Sequence, residues 1–187
     1  MAVFTKINSK DIKKIENIFN LGVINKVEGI KKGIENTNYI IKFNNTKFVL
    51  TIFEKRVKTK DLPFFMNLMS GLSNLKINCP KPMKTKKKSY LFNIKNKKAC
   101  LVSFLKGNDK KTLTPKDCYV LGKNIAILHK ATKKLKLYRK NSLDVKSWSN
   151  LNKKIDRRIN KLSKNLKNII EENIINIEKN WPKNLPK

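Results

Sequence analysis

Acidic side chains and histidine are the scarcest groups in this sequence. Only 13 of 187 residues are Asp or Glu, and His129 is its one histidine. General acid–base and metal chemistry draw on those side chains. No D-x-D, H-x-D or H-E-x-x-H arrangement occurs, so no catalytic or metal-ligating residue is assigned. His129 falls on the apolar side of a helical pattern and is followed by Lys130 and Ala131, which reads as a packed, hydrogen-bonded histidine. No Ser or Cys has a histidine beside it in sequence to activate it. Cysteine is sparse too. Cys79, Cys100 and Cys118 form no C-x-x-C pair and are odd in number. That spacing predicts buried thiols in a reduced, cytoplasmic protein and no zinc site. No run approaches 18 apolar residues, and "MAVFTKINSKD" contains no apolar h-region. Neither membrane spanning nor secretion is expected. Only six glycines occur, and none lies in G-x-x-x-x-G-K-[ST], which excludes a Walker loop.

Arginine is also rare, despite a net charge of +31. Among 44 basic residues only Arg56, Arg139, Arg157 and Arg158 are arginines. Nucleic-acid readers favour the bidentate guanidinium, and these lysines are spread along the whole chain. Together with abundant Asn and Ile, they read as a compositional drift that loads solvated faces with lysine. A basic nucleic-acid-binding protein stays as an alternative supported by charge alone; nucleic acid is not expected as a partner.

The patterning is clear. Ser9 is a candidate cap for a helix with Ile12, Ile15 and Phe19 on one side. Residues 23–30, 38–43 and 47–53 read as strands, the last two joined by a tight turn at Asn44-Asn45-Thr46. Thr59 and Asp61 open a helix with Pro63 in its first turn and Phe64, Phe65, Leu68, Met69 and Leu72 on its apolar side. "CPKPM" is extended. Residues 89–94 and 99–105 are two more strands around a "KNKK" turn, and Gly107 closes the second. Thr114-Pro115-Lys116-Asp117 is a capping box with proline at the first helical position. Helices follow, one with Trp148, Leu151, Ile155 and Ile159 on one side, another over about 166–179. The fold class is α+β, and the division falls at Gly107, giving 1–106 and 107–187. Gly29 and Gly33, in "GIKKGIENTNY", could lay backbone N–H groups over a phosphate.

Five strands interrupted by one helix, then helices only, resemble the protein-kinase-like fold: a five-stranded antiparallel N-terminal lobe with one inserted helix, followed by a partial helical C-terminal lobe. The stretches "MAVFTKIN", "GIKKGIENTNYIIKF", "FVLTIFEKR", "DLPFFMNLMSGL", "CPKP", "LVSFLKG", "LGKNIAILH" and "NWPKNLP" are similar, in that order, to bacterial homoserine kinases of the aminoglycoside-phosphotransferase/choline-kinase superfamily. The resemblance implies an ATP- and Mg2+-dependent transfer of phosphate to the hydroxyl of L-homoserine, a step toward threonine. It implies an ATP cleft made of Gly29, Gly33, Glu35, Asn36 and Asn38 over the phosphates, Val49 and Thr51 on the third strand, and Ser103, Phe104 and Leu105 as the linker between lobes. Thr51 stands where kinases usually carry a lysine, with Lys55 and Arg56 as the nearby cations. Only Asp61 offers an acid near the inserted helix. In such kinases the segment like "WPKNLP" leads into the catalytic loop with its H-x-D and metal-binding residues. The expectation is therefore a front portion of a kinase, inactive by itself and prone to aggregate through uncovered helix faces. A catalytically dead nucleotide-binding module is the other alternative.

Overall fold

The computed structural model describes residues 3–55, 58–155 and 157–182. Arg56 and the stretch 183–187, both drawn on by the resemblance, lie outside them. The chain separates into two compact units, Met1–Tyr138 and Arg139–Lys187. Gly107, the expected lobe division, lies inside the first.

In the first unit, helix α1 (Ser9–Ile18) is followed by β1 (Ile24–Gly29), β2 (Thr37–Phe43) and β3 (Thr46–Ile52). A 3-10 turn at Thr59–Asp61 leads into α2 (Leu62–Asn74), then β4 (Leu91–Ile94), β5 (Lys97–Ser103) and α3 (Pro115–Thr132). The five strands form one antiparallel sheet in the order β1-β2-β3-β5-β4, as the α+β kinase-like reading requires. Residues Lys81–Met83 run beside the far half of β5: Ser103 N–H donates to Lys81 O at 2.9 Å and Met83 N–H to Leu101 O at 2.8 Å.

Strand alternation sends successive side chains to opposite faces, and each face has its own cover. One face buries Tyr39, Ile41, Phe43, Phe48, Leu50, Ile52, Phe92, Ile94 and Leu101 against Ile15 and Phe19 of α1. Each large apolar side chain so buried contributes about 1.5–3 kcal/mol. The other face buries Met66 of α2 against Cys100 and Val102, with Val49, Phe53, Phe65 and Met69 half-buried around them.

Several local expectations move by a residue or two. The cap of α1 is Asn8, not Ser9: Asn8 Oδ1 accepts from Asp11 N–H at 3.1 Å while Asp11 Oδ2 accepts from Asn8 N–H at 3.0 Å. The turn after β4 is two residues, not four. Lys95 and Asn96 both take left-handed backbone, φ 47° and 61°, the geometry of a type I′ hairpin, so Lys97 and Lys98 belong to β5. Helix α3 keeps its predicted capping box, with Thr114 Oγ1 accepting from Asp117 N–H at 3.3 Å. Its sides stay largely exposed, however, including Tyr119, Leu121 and Ile125. His129 and Cys118 are exposed with it. The packed histidine is therefore corrected, and of the three expected buried thiols only Cys100 is buried, Cys79 being half-buried; α3 meets the rest of its unit chiefly at its C-terminal end, where Ala131 is buried and Leu135 lies against Gly71.

In the second unit α4 (Val145–Asn152) stops early and a 3-10 turn at Arg157–Lys161 replaces its expected second half. Helix α5 (Leu166–Asn180) follows. The rings of Trp148 and Trp181 meet edge to face at 6.1 Å, and Ser149 Oγ donates to Glu178 Oε1 at 2.8 Å.

Candidate functional site

The sheet register brings three of the predicted site residues, Asn38, Val49 and Thr51, to the α2 face. Ile40, Val49 and Val102 lie in one cross-strand row. Asn38, Thr51, Cys100 and Leu91 lie in the next. Val102 and Cys100 are covered, while Ile40, Val49, Asn38 and Thr51 stay half-buried. The result is an apolar strip beside a polar pair, in which Thr51 Oγ1 donates to Asn38 Oδ1 at 2.8 Å. Burial pushes the Cys100 thiol up to about 12, so it stays protonated and serves as a small apolar group.

The loop between β1 and β2 borders this strip. Gly29 ends β1 opposite Tyr39, and an added Cβ there would stand 2.9 Å from Val3 Cγ2. Gly33 takes φ 130°, which side-chain-bearing residues rarely adopt. Glu35 is exposed in the loop. Asn36 Oδ1 accepts from Glu54 N–H at 3.3 Å. At the other border, Ser103 ends β5 and its Oγ accepts from Lys81 N–H at 2.8 Å. Phe104 N–H donates to Lys47 O at 3.4 Å, and Lys47 Nζ lies 5.6 Å from the Phe104 ring centroid. Leu105 is exposed. Loop and linker approach one another just beyond these residues, where Lys32 Nζ pairs with Asp109 Oδ2 at 3.3 Å. The register thus sets the strip between the start of β2, where the glycine loop returns, and Ser103, where the linker begins.

Two features were not foreseen. Thr5, Thr37, Glu54 and Lys97 form a polar cluster beneath the loop: Thr5 Oγ1 and Thr37 Oγ1 each donate to Glu54 Oε1 at 2.7 Å, and Lys97 Nζ pairs with Glu54 Oε2. Burial pushes the Glu54 carboxyl up, but the hydrogen bonds from Lys97, Thr5 and Thr37 hold it below its ordinary value. A groove of about 790 Å³ also opens in the second unit, lined by Lys146, Ser149, Glu178 and Trp181 among others; it contains none of the predicted site residues.

Among the described residues, no three of His, Cys, Asp and Glu gather as a metal-binding group. The Glu54 carboxylate is engaged by its neighbours, so the described side chains do not fit the ligand set a Mg2+-dependent kinase needs.

The profile of the phosphotransferase enzyme family matches residues 26–187. The chain belongs to that family. Among curated relatives of this phosphotransferase chain, the homoserine kinase of Allorhizobium ampelinum is 35% identical over 186 residues, and that of Agrobacterium fabrum is 33% identical over 186. Each match takes in 100% of this chain and 58% of the relative; the chain spans a little over half the length of these relatives. Among solved structures, an amicoumacin kinase in complex with AMP-PNP, Ca2+ and Ami matches with a TM-score of 0.71 at 14% identity, over 97% of this chain and 55% of the other. A spectinomycin phosphotransferase with ADP and spectinomycin matches with a TM-score of 0.61 at 16% identity, over 98% and 60%. At such identities these phosphotransferases speak for the fold alone.

Proposed function

We propose that this chain forms the ATP-gripping portion of a homoserine kinase acting in the cytoplasm. The observation that carries the reading is the half-open strip of Ile40, Val49 and Val102, bordered by the Gly33 loop on one side and the Ser103–Leu105 linker on the other. A flat apolar strip suits an adenine ring. The Leu105 backbone can offer the ring edge an N–H, since the Ser103 and Phe104 N–H groups are engaged by Lys81 and Lys47. Gly29, Gly33, Glu35, Asn36 and Asn38 would border the phosphates, and backbone N–H groups of a glycine loop suit that charge. Thr51 offers no cation, so the exposed Lys32 of the loop and Lys55 after β3 are the candidates to neutralise phosphate. In the transfer, the homoserine hydroxyl oxygen bonds the γ-phosphorus and the bond to the β–γ bridging oxygen breaks. ADP leaves, and the hydroxyl proton passes to a base. Neither the base nor the metal ligands are found among the described residues, and ATP, Mg2+ and L-homoserine as partners belong to this proposal.

The test has two parts. ATP with Mg2+ should raise the melting temperature of the 187-residue chain, and an ADP-release assay with homoserine should detect turnover only in a longer polypeptide that carries an H-x-D loop. No thermal response to ATP would remove the reading. Stabilisation by ATP with no turnover by any longer form would leave a nucleotide-binding module instead. Salt-sensitive DNA binding indifferent to ATP would favour the nucleic-acid alternative.

A further inference from the structure

The buried cluster under the glycine loop ends on three consecutive residues of the loop's return stem. Glu54 N–H donates to Asn36 Oδ1 at 3.3 Å. The Glu54 carboxylate accepts from Thr37 Oγ1 at 2.7 Å. Thr51, three residues earlier, donates its hydroxyl to Asn38 at 2.8 Å. Thr37 is fully buried, and its Oγ1 also accepts the N–H groups of Phe4 and Thr5 at 2.9 and 3.0 Å. Lys97, from β5, completes the cluster by pairing with Glu54 and donating to Thr5 Oγ1 at 2.7 Å. A carboxylate that is 10% exposed and taken up by three donors cannot serve as a base. Removing water from such a charge costs stability unless every partner is in place. A hydrophobic filler would hold the N-terminal segment down as well. What a filler would not do is hold the buried Thr37 hydroxyl at the base of the loop's return stem.

We propose that Glu54 is a positioning residue: its carboxylate, braced by Lys97, grips Thr37 and so sets how the 29–38 loop lies over a bound nucleotide. This rests on the nucleotide reading above. The experiment compares the full chain with E54Q, which keeps Thr37 as the acceptor of the Phe4 and Thr5 N–H groups, with T37V, which keeps the Glu54–Lys97 pair but removes both that acceptor and the link to Glu54, and with F92L on β4 as a core-weakened control. ATP–Mg2+ affinity is titrated where each variant is folded, and backbone amide exchange is followed alongside. E54Q and T37V should each weaken ATP binding about tenfold, the scale of one lost hydrogen bond to a charged group. They should also speed exchange in residues 30–38 more than in β4 and β5. F92L should lower the melting temperature while leaving ATP affinity as it was. Equal affinity in wild type and T37V, or loop exchange no faster than elsewhere, would overturn the positioning role. Should the wild type bind no ATP at all, the nucleotide reading falls, and the exchange data alone decide whether Glu54 holds the loop.

Discussion

Glu54 has three side-chain partners, and they lie 17, 43 and 49 residues away in sequence. That separation is why the sequence read "FVLTIFEKR" for the missing third-strand lysine and passed over its acid. Gly33 was legible at the same scale because its role is local: φ 130° is a demand that only glycine meets cheaply. The Glu54 carboxyl sits below its ordinary value of 4.5. The folded state therefore favours the charged form, and the unfolded chain takes up the proton first as pH falls. The stabilisation is present above the ordinary value and is lost as pH drops through the folded value. E54Q should accordingly cost about 2 kcal/mol near neutral pH, and the gap in melting temperature from wild type should close as the solution is acidified below 4.5. Thermal melts across a pH series check this. Asp117, also held low, by Lys110 and Thr114, is common to both proteins and cancels in the difference.

Elements followed from the sequence where a local signal marks them. The reciprocal Thr114–Asp117 bonds start α3 as read, and the α2 side that meets the sheet follows helical spacing, although Leu62 and Met66 are its most buried members with Leu72. Boundaries failed where the turn depends on backbone rather than on a marked residue type. Lysine at Lys95 gives no warning of a left-handed turn, so β5 was begun two residues late. The seven-residue helix overshoot beyond Asn152 has another cause: the helical period persists through Ile159 while the backbone tightens to three-residue bonds at Lys154 and Ile155. Because α3 stands mostly uncovered, its start depends on its own cap more than on packing. T114A should loosen that first turn by about 1 kcal/mol. Amide exchange at Asp117 and Cys118, whose N–H groups meet Thr114 at 2.9 and 3.2 Å, should quicken while the sheet amides stay slow.

At the scale of the whole molecule, two properties oppose each other. Tyr119, Leu121 and Ile125 in the first unit, and Ile169 and Ile175 in the second, are open to solvent, which favours association. The net charge of +31 opposes it over a distance set by salt. That distance is about 30 Å at 0.01 M and about 8 Å at 0.15 M ionic strength. Sedimentation of the 187-residue chain should show monomer at low salt and growing larger species as salt rises; a single monomer boundary across that range would show that the apolar sides do not attract. The sequence revealed this opposition through composition and helical period. It could not reveal that the amino-terminal segment returns to the loop, since Val3 reaches Gly29 and Phe4 and Thr5 are tied to Thr37 only once the sheet is assembled. A practical corollary attaches to that return path: a fluorophore carried at position 3 would sit against Gly29 and report on the glycine turn from outside it, whereas a bulky substituent there would wedge the turn.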